Sequence, residues 1–179
     1  MTNNKLFRIA GWGALAGAIF FIAAFVSFPL GLGMLGGLFE ILSFLAVIVV
    51  FYGLHLTYSN EVKGLSLAGL VLAVAVILVA IVVLVTNLPA LANLWYLLLA
   101  LPFLIFGYLA YRSDRIPRGL AIVELLAGIL FLVAGLGGFI SGPDFADSLS
   151  LFAELLMLVW LFWLWRVFLS RKFAAESSK

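Results

Sequence analysis

Apolar residues fill six long runs of this chain, and short polar gaps separate the runs. A soluble helix or strand would bring in polar residues with a period of about 3.6 or 2, but these runs are apolar on all sides. Each is close to the ~20 residues that an α-helix needs to cross a hydrocarbon core of about 30 Å. The pattern predicts an all-α, polytopic membrane protein, one transmembrane domain with six helices over residues 8–28, 34–56, 64–86, 91–111, 118–140 and 147–169.

The composition excludes a water-soluble fold. The chain is 66% hydrophobic and 10% charged, with a mean hydropathy of +1.31, whereas soluble domains carry about 25% charged residues. A transmembrane barrel would need short strands of alternating polarity, and that alternation is absent. A cleaved signal peptide would have an apolar core of about 7–15 residues, so the longer first run is interpreted as a retained helix. Residues 170–179 form a short polar tail.

The basic residues predict the orientation of the chain. All ten lie towards the two ends of the chain or in or beside two of the five gaps, whereas the charged residues in or beside the other three gaps are Asp144 and Asp147. By the positive-inside rule, both termini are cytoplasmic, and we expect a multi-pass protein of the bacterial inner membrane. The ten are Lys5, Arg8, Lys63, Arg112, Arg115, Arg118, Arg166, Arg171, Lys172 and Lys179.

Aromatic residues near the ends of the runs are typical of the membrane interface. Trp95 and Tyr96 lie at the predicted outer end of the fourth run, and Tyr52, Tyr58, Tyr108, Tyr111 and Trp165 lie at inner ends. The series Trp160, Trp163, Trp165 is interpreted as lipid-facing and interfacial bulk. Arg112, Arg115 and Arg118 either contact anionic lipid heads or only fix the topology.

Three glutamates fall inside the apolar runs, where an acidic side chain is costly and usually faces protein or water. Glu40 and Glu154 lie at matched depth, roughly 9–10 Å below the predicted outer ends at 1.5 Å per residue. Helical spacing places Glu40 on one face with Gly33, Gly36, Gly37 and Ser43, and Glu154 on one face with Asp147 and Ser150. Small residues allow close approach of helices, so Glu40 is expected to point into the bundle.

Two interpretations of these acids remain open. In the first, Glu40 and Glu154 form an outward-opening cation or proton site with Ser43, Asp147 and Ser150. Two carboxylates in one dry site cannot easily both ionise, so one of them would carry a proton reversibly. In the second, each glutamate is bonded locally and joins helices.

Glu124 and His55 are secondary candidates on the inner side. Glu124 lies about 9 Å from Arg118 along its helix. Its face continues through small residues, so the acid should point inward. It would reach His55 if the second and fifth helices were neighbours.

Motifs for catalysis, metal binding or nucleotide binding are absent from the sequence. It has no cysteine and one histidine, and neither H-E-x-x-H nor a Gly-rich loop ending in Lys-Ser/Thr is present. We therefore assign no catalytic residue, metal or cofactor. The pair Gly13-x-x-x-Gly17 indicates close helix packing, either within the bundle or between subunits.

The last third of the chain resembles the bacterial six-helix membrane protein family known as domain of unknown function 4386. The residues that carry the resemblance are the segment GYLAYRSDRIPRG at 107–119, LAGIL at 126–130 and ELLMLVW at 154–160. The opening RIAG at 8–11 is also similar. The resemblance implies that Glu154 and Glu40 match acidic positions of the family. The first outer gap is shorter than in that family, and no activity is carried over.

These observations predict a small membrane protein that binds or transports a small solute or cation, with proton coupling through the buried glutamates. The alternative is a non-transporting accessory or assembly subunit of a membrane complex, held by its glycine-lined faces. An intramembrane enzyme comes third. The expected partners are the lipid bilayer, anionic lipids at the cytoplasmic face, and a second copy or another membrane subunit. No nucleic acid is expected.

Overall fold

The computed structural model describes residues 3–86 and 88–170. These residues form six α-helices and no strand. All six helices are long and apolar enough to cross a membrane, which agrees with the six predicted spans. The helices are α1 (Asn3–Ser27), α2 (Gly33–Tyr58), α3 (Lys63–Thr86), α4 (Pro89–Arg112), α5 (Arg118–Ser141) and α6 (Pro143–Leu169).

The helix ends differ from the predicted runs mainly at α1 and α6. Helix α1 begins five residues before its run, at Asn3, and α6 begins four residues before its run, at Pro143. Proline is favoured in the first turn of a helix because the N–H that it lacks would have no partner there. Helix α4 continues through Pro102. Apart from Ser170, the predicted tail over 170–179 lies outside the described residues.

The helices pack as a closed ring. Each packs against its neighbours in the sequence, α6 returns to α1, and α4 also touches α2 and α6 across the middle. Phe51 of α2, Phe103 of α4 and Trp160 of α6 fill this centre and are almost completely buried. The ring centroid of Phe51 lies 5.5 Å from that of Phe103 and 5.6 Å from that of Trp160, and the centroids of Phe103 and Trp160 are 4.9 Å apart. We call these three side chains the central aromatic cluster.

Glycines bring neighbouring helices into close contact inside the bundle. A Cβ atom on Gly13 would lie 3.2 Å from the carbonyl oxygen of Ala46 in α2, and one on Gly17 would lie 3.4 Å from Val47. The Gly13-x-x-x-Gly17 pair therefore packs α1 against α2 within one chain. On α5, Gly135 packs in the same way against α4, where its Cβ would lie 2.8 Å from the carbonyl oxygen of Asn93.

The two ends of the bundle differ in charge. The end with Lys63, Arg112 and the 113–117 loop is called the basic end, and the end with Asp144 and the 28–32 loop is called the acidic end. At the basic end, Tyr52, Tyr108 and Tyr111 are exposed as predicted.

The interfacial assignment is wrong for several other aromatic residues. Trp95, Tyr96 and Tyr58 are buried, and Trp160 lies at the centre of the bundle instead of facing lipid. Trp165 is only partly exposed, and its indole nitrogen is buried. Because lipid and protein interior are both apolar, the same aromatic residue fits either place.

Candidate functional site

Acidic side chains from two helices lie in the same half of the bundle, near the acidic end. Glu40 of α2 and Glu154 of α6 are close enough to interact electrostatically, and Glu154 also interacts with Asp147, about two turns earlier on α6. Tyr96 of α4 interacts with all three acids. Glu40 and Glu154 are partly buried, and Tyr96 is buried. We call Glu40, Tyr96, Asp147, Ser150 and Glu154 the acidic cluster.

Hydroxyl groups connect the members of this cluster. The Tyr96 hydroxyl donates a hydrogen bond to Oδ1 of Asp147 at 3.5 Å. The Ser150 hydroxyl donates to the backbone carbonyl oxygen of Asp147 at 3.1 Å, and its side chain also faces Tyr96 and Glu154. Both hydroxyls can therefore donate to a carboxylate or accept from a protonated carboxyl.

Basic side chains do not balance these acids. The two ion pairs found within residues 3–86 and 88–170 both lie at the basic end, and neither includes a member of the acidic cluster. An isolated negative charge is costly in the membrane interior. The cluster therefore suits a bound proton or an entering cation.

The structure brings together four of the five residues predicted for this site. Glu40, Asp147, Ser150 and Glu154 share the cluster, but Ser43 faces another helix. Its buried hydroxyl donates a hydrogen bond to the backbone carbonyl oxygen of Gly17 in α1, at 2.9 Å. Ser43 thus joins α1 to α2.

Tyr96 is the member that the sequence interpretation missed. It was assigned to an interfacial belt, whereas it lies buried against the acids. The position of Tyr96 along its helix indicates its proximity to Glu40. Tyr96 is seven residues after the first residue of α4, and Glu40 is seven residues after the first residue of α2. Helices that run in the same direction place such positions at the same level.

Glu154 also borders a crevice on the side of the bundle. A cavity of about 50 Å³ lies between α1 and α6, where apolar side chains such as Phe21, Phe25 and Leu158 line it together with Glu154. The walls other than Glu154 are apolar. Glu154 is therefore the one acidic side chain that lines this otherwise apolar crevice.

Glu124 occupies a different place, in the half of the bundle near the basic end. It is 1% exposed, which confirms that it points inward. Its neighbours are Trp160 of α6 and Tyr58 of α2.

The condition under which His55 would reach Glu124, that the second and fifth helices are neighbours, is not met. Nδ1 of His55 lies 3.0 Å from the hydroxyl oxygen of Ser66 in α3, and α2 and α5 are not adjacent in the ring. The sequence does not specify the order of the helices.

Of the arginines predicted to contact anionic lipid, Arg112 and Arg115 have defined protein partners. Nε of Arg115 lies 2.9 Å from Oε1 of Glu61, and its Nη1 donates to the carbonyl oxygen of Thr57 at 2.8 Å. Nη1 of Arg112 donates to the Tyr108 hydroxyl at 3.1 Å. Arg115 thus fastens the 113–117 loop to the end of α2.

Arg118 makes only a loose pair, 3.9 Å from Oδ1 of Asp114, with both side chains largely exposed. A cavity of about 350 Å³ opens beside Arg112 and is also lined by Glu61 and Tyr108. Contact of Arg112, Arg115 and Arg118 with anionic lipid stays a prediction.

The ligand atoms in the acidic cluster are carboxylate and hydroxyl oxygens. Within the described ranges, no three histidine, aspartate or glutamate side chains converge closely enough to hold a metal ion. Two interacting glutamates flanked by hydroxyls match the requirements of a proton or a monovalent cation.

Comparisons with models of protein families, with the sequences of characterised proteins and with solved structures found no match. The resemblance of residues 107–119 and 154–160 to a six-helix membrane family therefore stays a prediction.

Proposed function

We propose that this protein is a small transporter of the bacterial inner membrane that moves a small solute or cation with proton coupling, and that the acidic cluster is its proton site. The observation that carries the proposal is that Glu40 of α2 and Glu154 of α6 lie close enough to interact electrostatically. Acids inside membrane spans usually mark ion or proton pathways. Two such acids on separate helices give one site that helix movement can open or close.

The chemistry of the cluster supports reversible proton binding. Two carboxyl groups that interact in a partly buried site without a basic partner cannot easily both be ionised, so the pair favours holding one proton. The hydroxyls of Tyr96 and Ser150 stabilise either form, because a hydroxyl both donates and accepts. A cation that enters the site replaces the proton as the positive charge. This exchange couples the movement of the cation to the movement of the proton.

The charge distribution sets the direction in which the site opens. Basic residues are drawn to the basic end, which the positive-inside rule assigns to the cytoplasm. The acidic end then faces outward, and Asp144 and Asp147 lie near its mouth. The central aromatic cluster closes the middle of the bundle below the site.

Proton flux in proteoliposomes tests the proposal. The full-length protein is reconstituted with a pH-sensitive dye inside, and proton entry is recorded with sodium, potassium or lithium as the exchanging cation. Glu40→Gln and Glu154→Gln keep the size of the side chain and remove the ionisable group. We expect each to lower the cation-dependent rate at least about tenfold, the scale of losing a key proton-transfer group.

Asp144→Asn is the matched control, because Asp144 is an exposed acid at the same end but not a member of the cluster. It should transport at close to the wild-type rate. Equal rates in the wild type, Glu40→Gln and Glu154→Gln, or no flux of any of the three cations above empty liposomes, would contradict the proposal.

Some of the glycines behind the accessory-subunit alternative have a role within the chain. Gly13, Gly17 and Gly135 pack against neighbouring helices of the same chain. These three glycines therefore support packing inside the bundle more than docking of a partner.

A further inference from the structure

The basic half of the bundle contains a second polar group that the acidic cluster does not explain. Oη of Tyr58 in α2, Oε1 of Glu124 in α5 and Nε1 of Trp160 in α6 are all buried, and none has a hydrogen-bond partner of acceptable geometry within the described residues. Three helices therefore supply one unpartnered polar atom each.

These atoms belong to one group. Glu124 lies near Trp160 and Tyr58 lies near Ser113, in both cases without the geometry of a hydrogen bond, and Glu124 and Tyr58 interact electrostatically. Glu124, Tyr58 and Trp160 are each no more than 1% exposed. Buried polar atoms in proteins are nearly always hydrogen-bonded, either to protein or to an ordered water. Three that lie unpartnered in one place point to a bound ligand.

The donors and acceptors match a water molecule beside a protonated carboxyl. The indole N–H can only donate, the tyrosine hydroxyl donates or accepts, and Oε1 of Glu124 accepts. A water molecule has two acceptor and two donor positions. It can accept from Trp160 and Tyr58 and donate to Glu124, so it satisfies all three atoms, and such a water typically makes about three hydrogen bonds.

Among residues 3–86 and 88–170, no basic side chain forms an ion pair with the Glu124 carboxyl. A fully buried carboxylate without a positive neighbour is strongly unfavourable, and the neutral acid is the form that such a place accepts.

Arg115 covers this group from the basic end. Its backbone N–H donates to the Ser113 hydroxyl at 3.3 Å, and its guanidinium binds the Thr57 carbonyl oxygen and Glu61. Ser113 and Thr57 both adjoin Tyr58, the first in space and the second in sequence. The Arg115 and Glu61 side chains are 43% and 44% exposed, and ion pairs that exposed are weak. The contact can therefore open.

We propose that Glu124, Tyr58 and Trp160 form an enclosed site that binds a proton and a bridging water, and that the Arg115–Glu61 pair is the latch that closes it from the basic end. When the latch opens, hydronium transfers a proton to the Glu124 carboxylate and leaves as water; release runs in reverse. This site lies beyond the acidic cluster and does not require that cluster to transport anything.

Infrared difference spectroscopy of the full-length protein in liposomes tests the site. The probe is the exchange of H₂O for D₂O, which moves the carbonyl stretch of a protonated carboxyl. We expect one such band to disappear in Glu124→Gln and to remain in Glu61→Gln. Tyr58→Phe should keep the band but shift it, because the bridging water loses one partner. Persistence of every protonated-carboxyl band in Glu124→Gln would overturn the proposal.

The rate at which deuterium shifts the Glu124 band tests the Arg115–Glu61 latch. Glu61→Gln and Arg115→Gln should speed the deuterium shift of the Glu124 band by about two- to fivefold, the range expected for losing an exposed ion pair. Arg118→Gln is the matched control, because Arg118 makes only a loose pair at the same end, and its rate should equal the wild-type rate. Equal rates in Glu61→Gln, Arg115→Gln and the control would contradict the latch.

If Glu124→Gln does not fold, Glu124→Asp is the second variant that tests the site. It keeps the carboxyl but moves it, so the band should shift while the others stay. An unchanged spectrum in Glu124→Asp would also overturn the site. Glu40→Gln and Glu154→Gln should keep the Glu124 band even if they abolish proton flux. The flux experiment and the infrared experiment can therefore contradict their two proposals independently.

Discussion

Replacing Phe103 by alanine tests the central packing of the bundle. The Phe103 ring is fully buried, and its centroid lies 5.5 Å from that of Phe51, 4.9 Å from that of Trp160 and 5.9 Å from that of Phe131. Its neighbours come from α2, α5 and α6. Because each is held by its own helix, the space left by the lost ring cannot easily collapse.

The expected cost follows from the cavity. Phe→Ala substitutions in soluble cores cost about 3–5 kcal/mol, which combines transfer from water with a cavity contribution. In a bilayer the separated helices are surrounded by lipid, so the transfer part is largely absent. Roughly 100 Å³ of lost side chain at about 24 cal/mol per Å³ gives about 2.4 kcal/mol. Phe103→Ala should therefore lower the free energy of unfolding by about 2–3 kcal/mol.

Reversible unfolding in mixed micelles, followed by circular dichroism, measures this change. Phe139→Ala is the matched control, because Phe139 on α5 is 55% exposed and should cost no more than about 0.5 kcal/mol. If Phe103→Ala were as stable as Phe139→Ala, the account of α2, α4 and α6 meeting at the centre would be refuted.

Three further predictions concern packing and orientation. Ser43→Ala removes a buried bond between α1 and α2 and should lower the free energy of unfolding by about 0.6 kcal/mol, and by no more than about 1.7; an unchanged value would remove its joining role. Gly135→Ala should destabilise by about 1–3 kcal/mol, because its Cβ meets the α4 backbone, whereas Gly64→Ala, which meets open space, should not; equal melting of the two variants would contradict the α4–α5 contact. Because the chain has no cysteine, an impermeant thiol reagent should label Asp144→Cys in intact cells and Lys63→Cys only after permeabilisation, and the reverse order would invert the topology.

Much of the fold was predictable because the bilayer imposes a strong length rule. An apolar run near 20 residues has few alternatives to a spanning helix, so six helices followed directly from the pattern. The inward orientation of Glu124 also followed, since an acid avoids lipid and small residues shared its face.

The lateral packing was not predictable in the same way. In a soluble protein, the apolar face of an amphipathic helix is the buried one. The six helices of this chain are apolar on all sides, so their sequences do not indicate which side is buried. Trp160 and Tyr96 therefore looked like lipid-facing or interfacial residues and are buried in the bundle. Whether His55 reaches Glu124 depended on the order of the helices in the ring, which the sequence does not state. Ser43 was placed on the correct helix but assigned to the wrong neighbour for the same reason.

Proton uptake by the purified protein tests most directly whether Glu40 and Glu154 act as one proton site. A small pH step near neutrality, read by an indicator dye in weak buffer, counts the protons taken up. The wild type should take up one proton that Glu40→Gln, Glu154→Gln and the double variant all lack equally, because interacting carboxyls titrate as a pair. Partial losses in each single variant that add up in the double variant would show two independent acids and contradict the account.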